Sequence, residues 1–92
     1  MSLQWLYDVI EDRKTTPVEG SYTSRLIRDG LPRIAQKVGE EGTEVVVAAL
    51  SQSDERLIEE AADLAYHMLV LLSARKIPLD RVLAELERRH RG

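Results

Sequence analysis

Apolar residues recur at intervals of three and four positions along most of the chain, a spacing that is typical of amphipathic helices. The spacing predicts helices separated by short polar breaks, over residues 3–13, about 21–29, 31–50, 55–75 and 79–89. The one strand-like run, Val45-Val46-Val47, lies inside a helical pattern. We therefore expect an all-α fold, a bundle of four or five helices.

Turn and capping residues mark the ends of these helices. Ser21 or Thr23 can cap the second helix, and Gly30 suits its C-terminus because glycine adopts a positive φ without strain. Ser53 or Asp54 can cap the fourth helix. The connection before that cap is short, and we therefore expect the third and fourth helices to be antiparallel neighbours.

The fourth helix is the most apolar part of the chain. Between Ala61 and Ala74 it is apolar nearly all round, so we expect it to be buried on most faces. The third helix carries a narrower apolar stripe, formed by Leu31, Ile34, Ala35, Val38, Val45, Val46 and Ala49. A protein this small offers few neighbours to cover such helices, so we expect a homo-oligomer, most simply a dimer, in which a second copy completes the bundle.

Length and composition narrow the class of protein. The 92 residues suffice for one domain, and we expect residues 1–92 to form it. With 13 basic and 16 acidic residues the net charge is −3, which does not suit a nucleic-acid-binding protein. The sequence has no cysteine, no apolar run long enough to span a membrane and no basic, apolar leader, so we expect a cytoplasmic protein without a Cys-based zinc site.

An acidic cluster lies in the third helix. At about 100° per residue, Lys37, Glu40, Glu41 and Glu44 fall on one side of that helix. Such a group is by itself most often a solvated surface, because like charges four residues apart cost only a few tenths of a kcal/mol when they are exposed.

A second cluster in the fourth helix is harder to explain as surface. Glu60, Asp63 and His67 share a face, and the last two lie within the apolar run. A buried carboxylate costs several kcal/mol unless it is paired or bound to a metal. One alternative is a hydrogen bond between Asp63 and His67, and for His67 a satisfied core histidine is favoured over a metal ligand.

If the two acidic faces meet, their carboxylates converge and repel one another unless cations are bound. Ligands that are all oxygen atoms select hard ions such as Mg²⁺, Mn²⁺ or Ca²⁺. Mg²⁺ typically keeps room for water and phosphate oxygens, and this suits the hydrolysis of a phosphoanhydride.

The acidic positions also form a recognisable motif. Glu40-Glu41-x-x-Glu44 followed by Glu60-x-x-Asp63 resembles the EExxE…ExxD motif of the MazG-like all-α nucleotide pyrophosphohydrolases. Within that superfamily the chain most resembles the phosphoribosyl-ATP pyrophosphatase family. The further segments that carry this resemblance are Gly20-Ser21-Tyr22-Thr23, Gln36-Lys37-Val38-Gly39, Tyr66-His67 and Glu85-Leu86-Glu87-Arg88-Arg89-His90.

The resemblance implies a MazG-like helical bundle that assembles as a dimer or larger oligomer. It implies Mg²⁺-dependent hydrolysis of 1-(5-phosphoribosyl)-ATP to 1-(5-phosphoribosyl)-AMP and pyrophosphate, an early step of L-histidine biosynthesis.

Catalytic roles are expected for all five carboxylates of the motif. Four of them are expected to bind the metal, namely Glu41, Glu44, Glu60 and Asp63. Glu40 is either a further ligand or the group that orients the attacking water. Lys37 either contacts the triphosphate or balances the charge of the neighbouring glutamates.

The phosphoribosyl arm carries a further phosphate, which needs hydrogen-bond donors. The predicted N-terminus of the second helix offers Ser21, Thr23 and Arg25, where free N–H groups suit anions. The end of the chain offers Arg88, Arg89 and His90. Ordinary capping or a solvated surface charge explains each of these residues equally well.

Two other functions fit parts of the pattern. A house-cleaning pyrophosphohydrolase for canonical or damaged (d)NTPs would share the acidic motif and differ in the residues that recognise the substrate. A non-catalytic helical interaction module would show no specific response to Mg²⁺. Asp63 within the apolar run argues against the module, since a packing surface has little reason to keep a carboxylate there.

Overall fold

The computed structural model describes residues 1–91, and all of its regular structure is helical. The helices are α1 (Leu3–Thr15), α2 (Tyr22–Asp29), α3 (Leu31–Ser51), α4 (Asp54–Ala74) and α5 (Leu79–His90). The predicted all-α fold is confirmed, and each predicted helix lies within two residues of its observed bounds.

Serine side chains cap three of the helices. The Oγ of Ser21 accepts a hydrogen bond from the backbone N–H of Ser24 at 3.2 Å, and that of Ser53 accepts one from Arg56 at 3.3 Å. These two serines, rather than Thr23 and Asp54, are therefore the caps. Gly30 ends α2 at a φ of +98°, a conformation that favours glycine.

An antiparallel hairpin of α3 and α4 is the centre of the fold. Only Gln52 and Ser53 connect the two helices, and their mutual contact is the most extensive in the chain. Helix α1 packs against α2 and α4, while α2 packs against both arms of the hairpin. The buried hydrophobic cluster between them comprises Tyr7, Ile10, Leu26, Ile34, Leu69, Val70 and Leu79.

The predicted apolar stripe of α3 is partly wrong. The buried positions are Ile34, Glu41 and Ala48, spaced seven residues apart along the line that faces the rest of the chain. Val38 and Val45 flank this line and are partly buried, whereas Leu31, Ala35, Val46 and Ala49 are exposed. The spacing placed the stripe on all apolar residues, but the two neighbouring helices, α2 and α4, cover only a narrow strip of α3.

Helix α4 is buried on only part of its surface in the single chain, and its predicted burial on most faces, which includes cover by a second copy, stays a prediction. Its second half enters the core through Leu69, Val70 and Ser73, but Ala61, Ala62 and Ala65 are exposed. This side is apolar in sequence, and it is exposed because nothing within residues 1–91 packs over it.

A tight turn connects α4 to α5. Lys76 adopts a φ of +59°, and the N–H of Ile77 donates to the carbonyl of Leu72 at 2.9 Å, which closes the end of α4. The hydroxyl of Tyr7 donates to the carbonyl of Ile77 at 2.8 Å. Leu79 is buried, whereas most of α5 beyond it is exposed. No helix within residues 1–91 is both long and apolar enough to cross a membrane.

Candidate active site

Three carboxylates of the hairpin converge where the acidic faces of α3 and α4 meet. Glu41, Glu60 and Asp63 each place an oxygen atom within 4.8 Å of the oxygens of the other two. Glu41 is only 5% exposed and Glu60 only 4%, whereas Asp63 is exposed. The premise that Asp63 is buried is therefore wrong, and the two glutamates are the carboxylates that folding removes from water.

Both glutamates are buried because they occupy positions that otherwise belong to the core. Glu41 lies on the buried line of α3, between Ile34 and Ala48. Glu60 lies on α4 one heptad before the buried His67. Gly42 is not needed for close helix packing within the chain, because a Cβ built there would meet no atom within 4 Å.

One oxygen of each buried glutamate has no hydrogen-bond donor among the described residues. These atoms are the Oε2 of Glu41 and the Oε2 of Glu60. Glu44 lies next to both: the hydrogen bond from its protonated form to Glu60, and then the neighbouring Glu41, raise its pKa to about 7. Glu41, Glu44 and Glu60 thus lie so close together that the negative charge of one opposes the ionisation of the others.

Two cations hold the opposite edges of the cluster. The Nζ of Lys37 lies 3.3 Å from Glu41, and the guanidinium of Arg56 lies 2.6 Å from Glu60. Burial opposes the charge of Lys37, but its hydrogen bond to Glu41, and then the nearby Tyr22 and Glu40, raise its pKa. Lys37 therefore balances charge in the single chain, one of its two predicted roles.

Arg56 is a member of the site that the sequence interpretation missed. Its four-residue spacing from Glu60 was a usable signal, since such pairs meet on one helix face. Arg56 also lines a depression of about 250 Å³, together with Glu44, Val47, Gln52 and Glu60. The depression therefore opens beside Glu60, one of the two buried glutamates.

The chemistry of this arrangement fits a hard divalent cation. All its candidate ligand atoms are carboxylate oxygens, and two of them are buried without a donor, which is costly unless a proton or a cation satisfies them. Glu41, Glu60 and Asp63 could hold such an ion, with Glu44 beside them. Oxygen-only ligands favour Mg²⁺, Mn²⁺ or Ca²⁺ over softer metals.

Glu40 stands apart from the group that converges. Its side chain is exposed and accepts a hydrogen bond from Gln36 at 3.0 Å, with the Nζ of Lys37 at 3.4 Å. The hydrogen bond from Gln36, together with Lys37, lowers its pKa. An ionised, exposed Glu40 therefore lies one residue away from the buried Glu41.

A network of polar aromatic side chains joins α2 to the same turn of α4. His67 is 4% exposed, and its Nδ1–H donates to the backbone carbonyl of Asp63 at 2.7 Å. Because Nδ1 is the donor, a neutral His67 accepts at Nε2 from the hydroxyl of Tyr22, 2.9 Å away. Thr23 and Tyr66 form a second hydrogen bond between the same helices.

This network bears on the two interpretations of His67 that the sequence left open. The bond between Asp63 and His67 uses the backbone carbonyl of Asp63, so the proposed pairing of the two side chains is wrong. The description of His67 as a satisfied core histidine agrees with its two partners. The contact of Tyr22 with His67 was missed, since residues 45 positions apart carry no local signal.

The residues predicted to bind the phosphoribosyl arm are dispersed in the single chain. Ser21 caps α2, Thr23 bonds to Tyr66, and the guanidinium of Arg25 lies 5.6 Å from the ring centroid of Tyr22. On α5, Arg88 and Arg89 both pair with Glu85, and His90 bonds to the carbonyl of Leu86. None of these α5 residues lines the depression beside Glu44.

Comparison with known proteins adds a finding independent of this geometry. The sequence model of the family described as phosphoribosyl-ATP pyrophosphohydrolase matches residues 3–90, which span all five helices. The chain belongs to this family.

Relatives named phosphoribosyl-ATP pyrophosphatase align over nearly the whole chain. The protein of Erythrobacter litoralis is 54% identical over 88 residues, which are 96% of this chain and 85% of its own. That of Listeria monocytogenes is 54% identical over 84 residues, 91% of this chain and 81% of its own. That of Clostridium botulinum is 50% identical over 84 residues, 91% and 76% of the two chains. The narrower resemblance, to the phosphoribosyl-ATP pyrophosphohydrolase family, is thereby confirmed.

Proposed function

We propose that this protein hydrolyses 1-(5-phosphoribosyl)-ATP to 1-(5-phosphoribosyl)-AMP and pyrophosphate, in the cytoplasm, as an early step of L-histidine biosynthesis. Membership of the family supports the substrate. The observation that carries the chemistry is the pair of buried glutamates, Glu41 and Glu60, whose Oε2 atoms have no donor among residues 1–91. A helical packing module has no use for two such carboxylates, because each raises the cost of folding.

The proposal assigns Mg²⁺ to the converging carboxylates. Glu41, Glu44, Glu60 and Asp63 would hold it. When bound, Mg²⁺ neutralises the polyphosphate and lowers the pKa of a water molecule. The buried glutamates are positioned in advance, because Lys37 and Arg56 fix one oxygen of each and leave the other free.

Glu40 and Lys37 receive separate roles in the proposal. Glu40 is ionised, exposed and outside the converging group, so we assign it to orienting the attacking water rather than to the metal. Lys37 holds Glu41 in the free protein and lies at the edge of the site, where its ammonium group can also contact a phosphate oxygen.

A homodimer is part of the proposal. Large apolar side chains are exposed along the outer face of the hairpin and on α5, namely Val46, Val47, Leu50, Ile58, Met68, Leu83 and Leu86. Leu50 is 83% exposed and Ile58 is 68% exposed, which a single chain in water does not favour. A second copy that covers these residues would also complete the apolar surroundings of α4.

The experiment that tests the function is pyrophosphate release from phosphoribosyl-ATP, ATP and dUTP, each with Mg²⁺ and with EDTA. We expect Mg²⁺-dependent release from phosphoribosyl-ATP and little from the other two. Release from ATP or dUTP but not from phosphoribosyl-ATP would overturn the pathway in favour of a house-cleaning enzyme. No release from any of them would favour an interaction module. Light scattering of the same sample tests the dimer, and a monomer at micromolar concentration would contradict it.

A further inference from the structure

A second pocket lies outside the acidic site, between the end of α1, the loop after it and the outer face of α2. Its volume is about 540 Å³, within the range of about 300–1,000 Å³ that small-molecule sites occupy. The lining includes four basic side chains, those of Arg13, Lys14, Arg25 and Arg28, against one carboxylate, Glu19. A basic pocket in a chain with a net charge of −3 is a local reversal of sign.

The four cations differ in how much of their charge is already matched. Arg13 pairs with Asp12 at 3.2 Å and Lys14 with Glu11 at 3.3 Å. The ion pairs found within residues 1–91 include neither Arg25 nor Arg28. These two arginines lie one turn apart on α2, and both line the pocket.

Hydrogen bonds within the chain hold the wall of the pocket in place. The N–H of Val18 donates to the Oγ of Ser24 at 3.0 Å, and the N–H of Ser21 donates to the carbonyl of Val18 at 3.0 Å. Gly20 allows this turn through its φ of +82°. The loop is thereby held against the first turn of α2, where some backbone N–H groups lack partners within the helix.

We propose that this pocket binds a sugar phosphate monoester, the 5-phosphoribosyl arm of the substrate, through Arg25 and Arg28. Guanidinium groups bind phosphate through two parallel hydrogen bonds, and the N-terminus of α2 adds its own positive field. The volume exceeds what a free phosphate ion fills and leaves room for the ribose. The assignment to the arm rests on the proposed function.

Arg25 and Tyr22 connect this pocket to the acidic site. The guanidinium of Arg25 lies against the ring of Tyr22, and the hydroxyl of Tyr22 reaches His67 on α4. One substrate could therefore extend past α2, with its arm in the basic pocket and its triphosphate towards the carboxylates.

The probe for this pocket is ribose 5-phosphate, added without Mg²⁺ and followed by backbone amide NMR. We expect shifts centred on Gly20, Ser21 and Ser24. The double variant Arg25→Gln/Arg28→Gln should weaken binding at least about tenfold, the effect of one lost charge-assisted hydrogen bond. Arg81→Gln, which removes an exposed arginine from α5, is the matched control and should bind as the wild type does.

Steady-state kinetics give the second readout. In the double variant the KM for phosphoribosyl-ATP should rise about tenfold and kcat should change much less, because the lost contacts hold a part of the substrate that does not react. Tight binding of inorganic phosphate, equal to that of ribose 5-phosphate, would overturn the assignment to a sugar phosphate.

The possible failures of the two proposals are distinguishable. Hydrolysis of phosphoribosyl-ATP by the wild type, with ribose 5-phosphate shifting residues of α5 or none, would overturn this pocket and leave the function standing. An unchanged affinity in the double variant would overturn it as well. Ribose 5-phosphate bound at Gly20 and Ser21 by a protein that does not hydrolyse phosphoribosyl-ATP would overturn the function and keep the sugar phosphate site.

Discussion

The hairpin of α3 and α4 and the last helix, α5, are both rich in charge but use it differently. On α5 both glutamates are matched: Glu85 pairs with Arg88 and Arg89, and Glu87 pairs with Arg91. In the hairpin the carboxylates converge, and one oxygen of each buried glutamate has no donor within residues 1–91. Charge density therefore does not identify a site, whereas buried carboxylate oxygens that lack a hydrogen-bond donor point to one.

The largest effect is expected for a substitution in the carboxylate cluster of the hairpin. Glu60→Gln keeps the shape of the side chain but removes a proposed ligand charge. We expect kcat/KM for phosphoribosyl-ATP to fall at least about a hundredfold, roughly 3 kcal/mol of lost transition-state stabilisation. Steady-state pyrophosphate release measures it, and Glu41→Gln should behave in the same way.

Glu59→Gln is the matched control for that loss. Glu59 is the neighbour of Glu60, shares Arg56 as its partner at 3.4 Å and is exposed. We expect its activity to stay within about twofold of the wild type, as for most surface substitutions. Equal losses in the two variants would mean that the whole acidic face acts by its charge, and the assignment of ligands would be wrong.

The next effect is the dependence of the protein's stability on pH when no metal is bound. The carboxyl of Glu44 has its pKa raised from 4.5 to about 7 by Glu60 and Glu41. Its contribution to the free energy of unfolding is therefore fully present below pH 4.5 and is lost as the pH rises through 7. Glu44→Gln cannot lose a proton, so in EDTA its melting temperature should exceed that of the wild type at pH 8 but not at pH 4.

Mg²⁺ should reverse that order at pH 8, because the wild type gains a ligand that stabilises the folded state and the variant binds it less well. Differential scanning calorimetry with EDTA and with Mg²⁺ checks both halves. If Mg²⁺ leaves the melting temperature of the wild type unchanged, the cluster does not hold this ion in the folded protein.

A smaller effect is expected from the hydrogen-bond network of Tyr22 and His67 beside the site. Tyr22→Phe removes the hydroxyl that bonds to His67 and leaves the buried Nε2 without that partner. We expect a loss of about 1–3 kcal/mol in the free energy of unfolding, measured by urea denaturation. Tyr7→Phe, which loses a bond to a backbone carbonyl, is the comparison, and a Tyr22→Phe protein as stable as the wild type would contradict the network.

The smallest effect is expected on α5. Glu85→Gln breaks two ion pairs whose side chains are largely exposed, so the free energy of unfolding should fall only slightly, by less than in Tyr22→Phe. The loss should fade in molar salt, because salt screens surface charges. A larger, salt-independent loss in urea denaturation would show that Glu85 is buried in the assembled protein, for example by a second copy.

Local features of this fold could be predicted from the sequence. Helical spacing, the serine caps and the glycine at the end of α2 depend on residues that are close in the chain, and these predictions are confirmed. The convergence of the acidic faces also followed from local facts, because a short connection makes α3 and α4 neighbours.

What could not be predicted depends on contacts between distant residues. The apolar spacing predicted that α4 is buried, but it did not indicate which side of the helix contacts the rest of the chain. Asp63 was therefore expected to be buried, whereas it is exposed. The burial of Glu60 was not predicted, and it results from the contact of that side of α4 with the rest of the chain. The bond between Tyr22 and His67 and the basic pocket at α2 likewise require the assembled fold.

The two-residue connection between α3 and α4 also has a consequence for how the chain folds. Helical proteins dominated by contacts between nearby residues fold fast, on the order of microseconds to milliseconds. The proposed ligands lie between Glu41 and Asp63, within this one hairpin. The carboxylates therefore meet when the hairpin closes, and their mutual repulsion opposes that closure. We expect a divalent cation present during folding to speed this step.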